Sequence, residues 1–377
     1  MPGLWALAAA AVAAVASAAV TPPIFPYPRQ YGVHRLGPGE RIVVDGFLNE
    51  TAWDAVPWSE DFVDIDAGPV PRFRTRYKAR WEGNNLYIGY WLEEPQVWAN
   101  LTVDDSIVFH DNDAEIFIDP DGSCAWYKEL EVNALATWWQ LILDKPYIDG
   151  GSAKYGPGKW VMPRFEAATQ VFGCEINDPS SGPCSHWTLE MLLPLESYVV
   201  NETVARSPPV PGDLWRWDFS RVEWRVSDVG NKFEKVPGVA AANWVWSAQH
   251  AINMHLPERW GYLCWLDDKV NVSTCRTDVT WNARQALAAV YYAQHQFSAV
   301  NGYFSATLSD LGLPPSVLNG QLGTQPPVLI VDPLSPYGFA ANVSATVGGQ
   351  TFVGSINTQR HFTFDPPGAA VCGLGGC

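Results

Sequence analysis

Nineteen tryptophans stand in a chain of 377 residues, and most fall in one block from about Arg72 to Trp265. Apolar and polar residues alternate through that block with the period of a β-strand. Its richest stretches are Trp138-Trp139, Trp215-Arg216-Trp217, Trp224 and Trp244-Val245-Trp246. Indole is large and highly buried on average, so most of these rings are expected in a core. Indole also offers a flat apolar face and one N–H donor, which suits the C–H faces and hydroxyls of a sugar. With Asp, Asn, Glu and Arg interleaved, the block reads as a candidate carbohydrate binder.

The strand signals run in order. Ile42-Val43-Val44 and the turn Asp45-Gly46 predict a first strand, and Asn49 to Trp53 a short helical turn. A hairpin is predicted between Arg74–Trp81 and Leu86–Leu92, across Glu82-Gly83-Asn84-Asn85. Further strands are read near Ala114–Asp119, Tyr127–Ala134, Thr137–Leu143, Phe165–Val171, His186–Leu193, Trp215–Trp224 and Trp260–Trp265. Many strands with turns between them and little helix signal point to a mainly β chain, an antiparallel β-sandwich over residues 37–266. The pattern changes after Asp267. Trp281 to Phe297 has the spacing of an amphipathic helix stopped by Gly302, and four short strand-like runs follow from Val328 to Phe364. Residues 278–366 are therefore expected to form a small C-terminal α+β module.

The net charge of −16 argues against nucleic acid, whose phosphates attract Lys and Arg patches, and against anionic membrane surfaces. Residues 1–18 read as a secretory signal: an apolar run from Leu4 to Val15, then the small-x-small pattern Ala16-Ser17-Ala18. No later segment is apolar for long enough to span a bilayer. Secretion accords with five Asn-x-Ser/Thr triplets, at Asn49, Asn100, Asn201, Asn271 and Asn342. It also accords with cysteines whose spacing pairs Cys174 with Cys184, Cys264 with Cys275 and Cys372 with Cys377, leaving Cys124 free.

Several spaced motifs carry a resemblance. The run Asp45-Gly46-Phe47-Leu48-Asn49-Glu50-Thr51-Ala52-Trp53, the hairpin at Trp81 and Leu86-Tyr87-Ile88, and the segment Asp111 to Gly122 resemble family 9 carbohydrate-binding modules. So do Asn243-Trp244-Val245-Trp246 and Pro257 to Tyr262. The resemblance covers about residues 37–266. It implies a jelly-roll β-sandwich that binds sugar chains, typically with bound calcium, and a pair of tryptophans clamping a sugar end.

The candidate binding residues follow from that resemblance and from strand alternation. Trp98, before the acidic strand, and Trp244 or Trp246, before the last strand, stand where exposed clamping indoles are expected. Asp113, Glu115, Glu131, Asn133, Arg221, Glu223, Arg225, Asn243 and Arg259 supply acceptors and donors for hydroxyls. Alternation puts Glu129, Glu131 and Asn133 on one face, and Arg221, Glu223 and Arg225 on one face, which suggests a wet concave surface or, equally, an internal salt-bridge ladder across strands. Asp111, Asp113, Asp119 and Asp121 are the expected ligands of a structural calcium, which prefers clustered carboxylates. No zinc pattern, nucleophile elbow or metalloprotease motif occurs, so the favoured function is non-catalytic binding of a polysaccharide or glycan. A glycoside hydrolase, needing two carboxylates across a cleft, is the alternative, with a structural or adhesion protein of the extracellular surface as the third reading.

Overall fold

The computed structural model describes residues 24–155, 160, 162–200, 203–270 and 274–367. The expected signal segment, Asn201, Asn271, Cys372 and Cys377 lie outside the described residues. The chain is mainly β. The first region contains β1 (Gln30–Arg35), α1 (Thr51–Asp54), β2 (Val63–Asp64), β3 (Thr75–Glu82), β4 (Asn85–Glu93), β5 (Asp113–Asp119), β6 (Tyr127–Asn133) and β7 (Trp138–Leu143). It continues with β8 (Ala153–Tyr155), β9 (Glu166–Phe172), β10 (His186–Pro194), β11 (Leu214–Glu223), β12 (Val226–Asp228), β13 (Phe233–Lys235), β14 (Ala242–Val245) and β15 (Gly261–Leu266).

The ladder runs β8-β7-β6-β5-β11-β15-β1-β3-β4-β10-β9, with β14 and β2 branching from β11. It folds over on itself as a sandwich, because one core draws on both ends of that path. Tyr77, Ile88 and Leu189 come from one half, Ile116, Leu130 and Trp217 from the other. Tyr77 stacks on Phe219 with centroids 3.7 Å apart, and Trp81 meets Trp265 edge-on at 5.6 Å. Seven of the tryptophans are fully buried, so the aromatic richness of the sequence is largely what fills the space between the sheets.

Two features depart from the expected layout. The sheet begins earlier than residue 37: β1 lies parallel to both β15 and β3 and joins the two halves. In contrast, Ile42-Val43-Val44 forms no strand; Ile42 instead packs with Leu36, Trp53 and Tyr87. The hairpin of β3 and β4 pairs Thr75 with Leu92 through Glu82 with Asn85, around the two residues Gly83-Asn84.

The C-terminal region comprises α2 (Trp281–Asn301), α3 (Pro315–Leu318) and a four-stranded antiparallel sheet of β16 (Val328–Ile330), β17 (Ala340–Val347), β18 (Gln350–Asn357) and β19 (Phe362–Asp365). The apolar stripe of α2, with Leu287, Val290 and Tyr291, packs on Val343, Phe352 and Ile356. The helix runs about one turn past Phe297 and ends where Gly302 turns left-handed at φ 79°. Buried arginines join this region to the sandwich. Arg360 pairs with Glu258 at 2.8 Å and Asp149 at 3.1 Å. Arg284 donates to the Gly122 carbonyl at 2.5 Å. Gly122 itself has φ 65°, and a Cβ there would lie 2.7 Å from the Arg284 guanidinium, so the turn Asp119-Pro120-Asp121-Gly122 needs its glycine. Disulfides join Cys174 to Cys184 and Cys264 to Cys275, while Cys124 is a buried free thiol.

Candidate ligand-binding cleft

The alternation of three neighbouring strands builds the site. On β5, Ala114, Ile116 and Ile118 enter the sandwich core; on β6, Leu130 and Val132 do so; on β11, Trp215, Trp217 and Phe219 do. The intervening residues therefore face the other way. Register brings them side by side: Glu115 opposite Glu131, Phe117 opposite Glu129, and Ser220 opposite Glu115. They lie under a cleft of about 600 Å³. Its remaining walls come from the segment Ala240–Asn243 and from Ile252 to His255.

The mouth is apolar and partly open. Phe109 is 39% and Ile252 80% exposed, and Trp224 is half-buried. Trp224 is held by its indole N–H, which donates to the Phe109 carbonyl at 2.8 Å, and by the Lys235 ammonium 3.6 Å from its ring centroid. His255 is fixed by a 3.0 Å bond between Nδ1 and the Tyr127 hydroxyl. Part of its edge remains accessible, but the ring sits deep enough that burial lowers its pKa to about 4, so it is neutral at pH 7.

The floor is acidic. Carboxylate oxygens of Glu115, Glu129 and Glu131 all come within 4.8 Å of one another, and all three residues are buried. Burial raises Glu115 to about 7. It raises Glu129 and Glu131 well above the usual range, with Glu115 adding repulsion on Glu129, and Asp113 and Glu129 adding it on Glu131. One oxygen of Glu131 accepts the Phe109 N–H at 2.8 Å. The Ser220 hydroxyl, opposite Glu115, hydrogen-bonds its carboxyl group and offsets part of the effect of burial, while Oδ2 of neighbouring Asp113 is buried without a hydrogen-bond partner.

Of the candidate binding residues read from the sequence, Glu115, Glu129, Glu131 and Asn243 line this cleft. Asp113 lies just beyond it, accepting the Val222 N–H at 3.1 Å. Asn133 instead closes a turn: its side chain accepts from Leu135 and Thr137 and donates to Leu101 and Asp111. Arg221 has the parity of Trp217 and Phe219, so it lies on the other side of β11 from Val222. There it pairs with Glu94 at 2.7 Å and Glu223 at 2.8 Å. The two polar rows expected to form one wet surface thus lie on opposite faces.

The clamp expectation needs a further correction. Trp98, Trp244 and Trp246 are only 4%, 3% and 1% exposed. Trp246 abuts Tyr77 and Phe219 in the core, and Trp244 packs against Phe73 and Arg221. No two of these indoles stand free to clasp a ring. Arg259 turns toward the C-terminal region, donating to the Tyr292 hydroxyl at 3.1 Å and to the Gln249 carbonyl at 2.8 Å.

The four aspartates named as calcium ligands do not converge either. Asp111 and Asp113 stand at one end of β5, Asp119 and Asp121 at the other, separated by roughly 20 Å at about 3.3 Å per residue. Asp111 is occupied by the Asn100 and Leu101 N–H groups, Asp119 by that of Cys124, and Asp121 by those of Ser123 and Val204. Backbone N–H groups of the adjoining turns thus hold Asp111, Asp121 and one oxygen of Asp119, while Oδ1 of Asp119 is buried without a partner. The residues missing from the sequence-derived site are Phe109, Trp224, Ile252 and His255. Glu115 and Glu129 were legible, because they alternate with core residues and share the parity of Glu131.

Comparison of the sequence with protein-family models gives no match, and comparison with curated proteins gives none. Three of the solved structures that align with the chain are the following. One is from Bacteroides uniformis, provisionally described as a carbohydrate-binding protein, at 15% identity and TM-score 0.44, covering 63% of this chain and 99% of its own. A family 9 carbohydrate-binding module from Caldicellulosiruptor kristjanssonii in complex with glucose aligns at 15% identity and TM-score 0.37, covering 66% and 98%. A module of the same family and organism in complex with cellotriose aligns at 16% identity and TM-score 0.39, covering 66% and 100%. Among the described residues, no helix is long and apolar enough to cross a membrane.

Proposed function

We propose that the protein is a secreted carbohydrate-binding protein that holds a neutral sugar in the cleft on the outer face of β5, β6 and β11, without turnover. One observation carries the reading: a cleft of about 600 Å³ combines partly exposed Phe109, Trp224 and Ile252 at its mouth with converging carboxyl groups on its floor. Aromatic faces at the rim accept the C–H face of a pyranose, and buried polar groups that need partners select a ligand rich in hydroxyls. Glu115, with its pKa near 7, both donates and accepts hydrogen bonds at neutral pH. Asn243 and His255 add neutral polar groups to the wall. The test is calorimetric titration with neutral mono- and oligosaccharides, cellotriose included. Saturable binding that weakens at least tenfold in Trp224→Ala is expected; absence of binding to every neutral sugar sinks the proposal. Secretion is checked by mass spectrometry of the mature product, expected to begin after Ala18 and to carry N-glycans.

A second reading has its own observation. Three carboxyl groups within 4.8 Å, one of them titrating near 7, form a set from which a hydrolase could draw an acid and a nucleophile. Release of reducing sugar on prolonged incubation with the purified protein, lost in Glu129→Gln, would establish it.

A further inference from the structure

We infer that the C-terminal region sets the shape of the cleft, with Arg360 as the positioning residue, an inference that rests on the reading of the cleft as the ligand site. Arg360 does not itself line the cleft. It stands in the turn between β18 and β19, buried, with its guanidinium over the rings of Tyr291 and Tyr292 at 4.6 Å and 5.5 Å from their centroids. From there it reaches the two segments of the sandwich that flank His255.

The first segment follows the cleft wall Ile252–His255. Arg360 pairs with Glu258 at 2.8 Å, three residues beyond His255. Tyr292 doubles this anchor: its hydroxyl donates to Glu258 and accepts from Nε of Arg259 at 3.1 Å. The second segment packs against the wall from outside. Arg360 pairs with Asp149 at 3.1 Å, and the Tyr291 hydroxyl donates to the same carboxyl group. Two residues earlier, the Tyr147 ring meets the His255 ring edge-on at 4.6 Å. One buried guanidinium thus stands behind both neighbours of His255.

The wall needs such support because it belongs to no strand or helix. No ladder of its own holds it, so side-chain ties decide where it stands. The sandwich supplies two of them, from the Trp260 indole N–H to the Met254 carbonyl at 2.9 Å and between Tyr127 and His255. The C-terminal region supplies the rest. Arg284 provides the contrast: it also joins the two regions, but through the Gly122 carbonyl and Asp278, neither of which lines the cleft or touches its wall.

The test compares the parent with Arg360→Gln, Tyr292→Phe and Val343→Ala, all in the full chain. Tyr292→Phe removes only the hydroxyl that ties Glu258 and Arg259, and it changes no charge. Val343→Ala loosens the C-terminal core without touching either tie. The imidazole nitrogen resonances of His255 are read by NMR, and affinity is measured for a saccharide that the parent binds. Arg360→Gln and Tyr292→Phe should both shift the His255 resonances. Sugar binding should weaken about fivefold in Arg360→Gln and about twofold in Tyr292→Phe, the range for residues that act on a site without touching its ligand. Val343→Ala should lower the melting temperature and leave both readouts at the parent's values. If Arg360→Gln does not fold, Tyr292→Phe decides alone. Unshifted resonances overturn the inference, as do unchanged affinity or changes of the same size in Val343→Ala. A parent that binds no sugar sinks the proposed function instead, and the resonances then still decide whether the C-terminal region holds the wall.

Discussion

The two faces of the β5-β6-β11 sheet are built from alternate residues of the same strands, yet they have little in common. The inner face carries Ile116, Leu130, Val132, Trp215, Trp217 and Phe219 and is sealed. The outer face carries Glu115, Glu129, Glu131, Ser220 and Val222 and is hollow above the acids. A difference of one residue in parity separates a packed interior from a cleft with unsatisfied oxygens. Tryptophan, the most conspicuous feature of the sequence, enters the sealed face through Trp215 and Trp217. The chemistry lies with the less conspicuous glutamates opposite it.

The largest expected effects come from treating inner-face residues as though they were binding residues. Trp246 is 1% exposed, and its ring lies so close to Gly261 that a Cβ there would come within 2.4 Å of it. Trp246→Ala should therefore cost about 3–5 kcal/mol of folding stability, the usual range for a buried aromatic. A chemical denaturation curve measures this, and an unchanged midpoint would place Trp246 at the surface after all. Arg221→Ala should cost a similar amount, about 3–5 kcal/mol, because it leaves Glu94 buried without its cation and Glu223 with Arg72 alone.

On the outer face the balance reverses. Trp224→Ala removes a half-buried ring at the mouth, so its effect on the melting temperature should be small. Its effect on sugar affinity should be on the order of 2 kcal/mol, the level of an interface hot spot. Equal losses of stability in Trp224→Ala and Trp246→Ala would erase the distinction between the faces.

How much of this was legible in the sequence depends on whether the signal was local. Strand alternation gave most of the strands, and the helical spacing from Trp281 gave α2, because both periods are local properties of the chain. The parity of Arg221 was legible too: it alternates in step with Trp215, Trp217 and Phe219, which puts it on their side. Reading Arg221 with Glu131 ignored that Glu131 alternates against Leu130 and Val132. Other features had no local signal. The parallel pairing of β1 needs β15, more than two hundred residues away, and the Ile252–His255 wall is an irregular segment whose position is fixed by the fold. The acidic run Asp111–Asp121 misled because closeness in sequence along an extended strand is distance in space.

Carboxyl groups buried outside the core give a pH dependence with a definite sign. Burial, reinforced by Asp121, raises Asp119 to about 8, and burial raises Glu190 to about 7. In the unfolded chain these groups titrate near 4. Between pH 4 and 8 the folded protein therefore holds protons that the unfolded chain has released, so their contribution is fullest below pH 4 and is lost as the pH rises through 7 to 8. With chelator present, the melting temperature should fall from pH 5 to pH 8, and Asp119→Asn should make that fall shallower. A melting temperature that climbs over this range would mean that these acids are ionised and paired in the folded state.

The smallest expected effect belongs to Ile252, and it tests whether the mouth is shaped by its aromatic rings or by its apolar surface in general. The side chain is 80% exposed on the irregular wall. Its removal uncovers little that folding had buried, so Ile252→Ser should change stability by no more than about 0.5 kcal/mol, as surface substitutions usually do. If stacking on aromatic faces dominates, sugar affinity should also change far less than in Trp224→Ala, because an aliphatic side chain offers contact area without a flat ring. Paired titrations of the two variants with the same saccharide separate the cases. Equal losses would assign recognition to apolar contact around the whole rim, and a loss confined to Trp224→Ala would assign it to the ring that Lys235 and the Phe109 carbonyl hold in place.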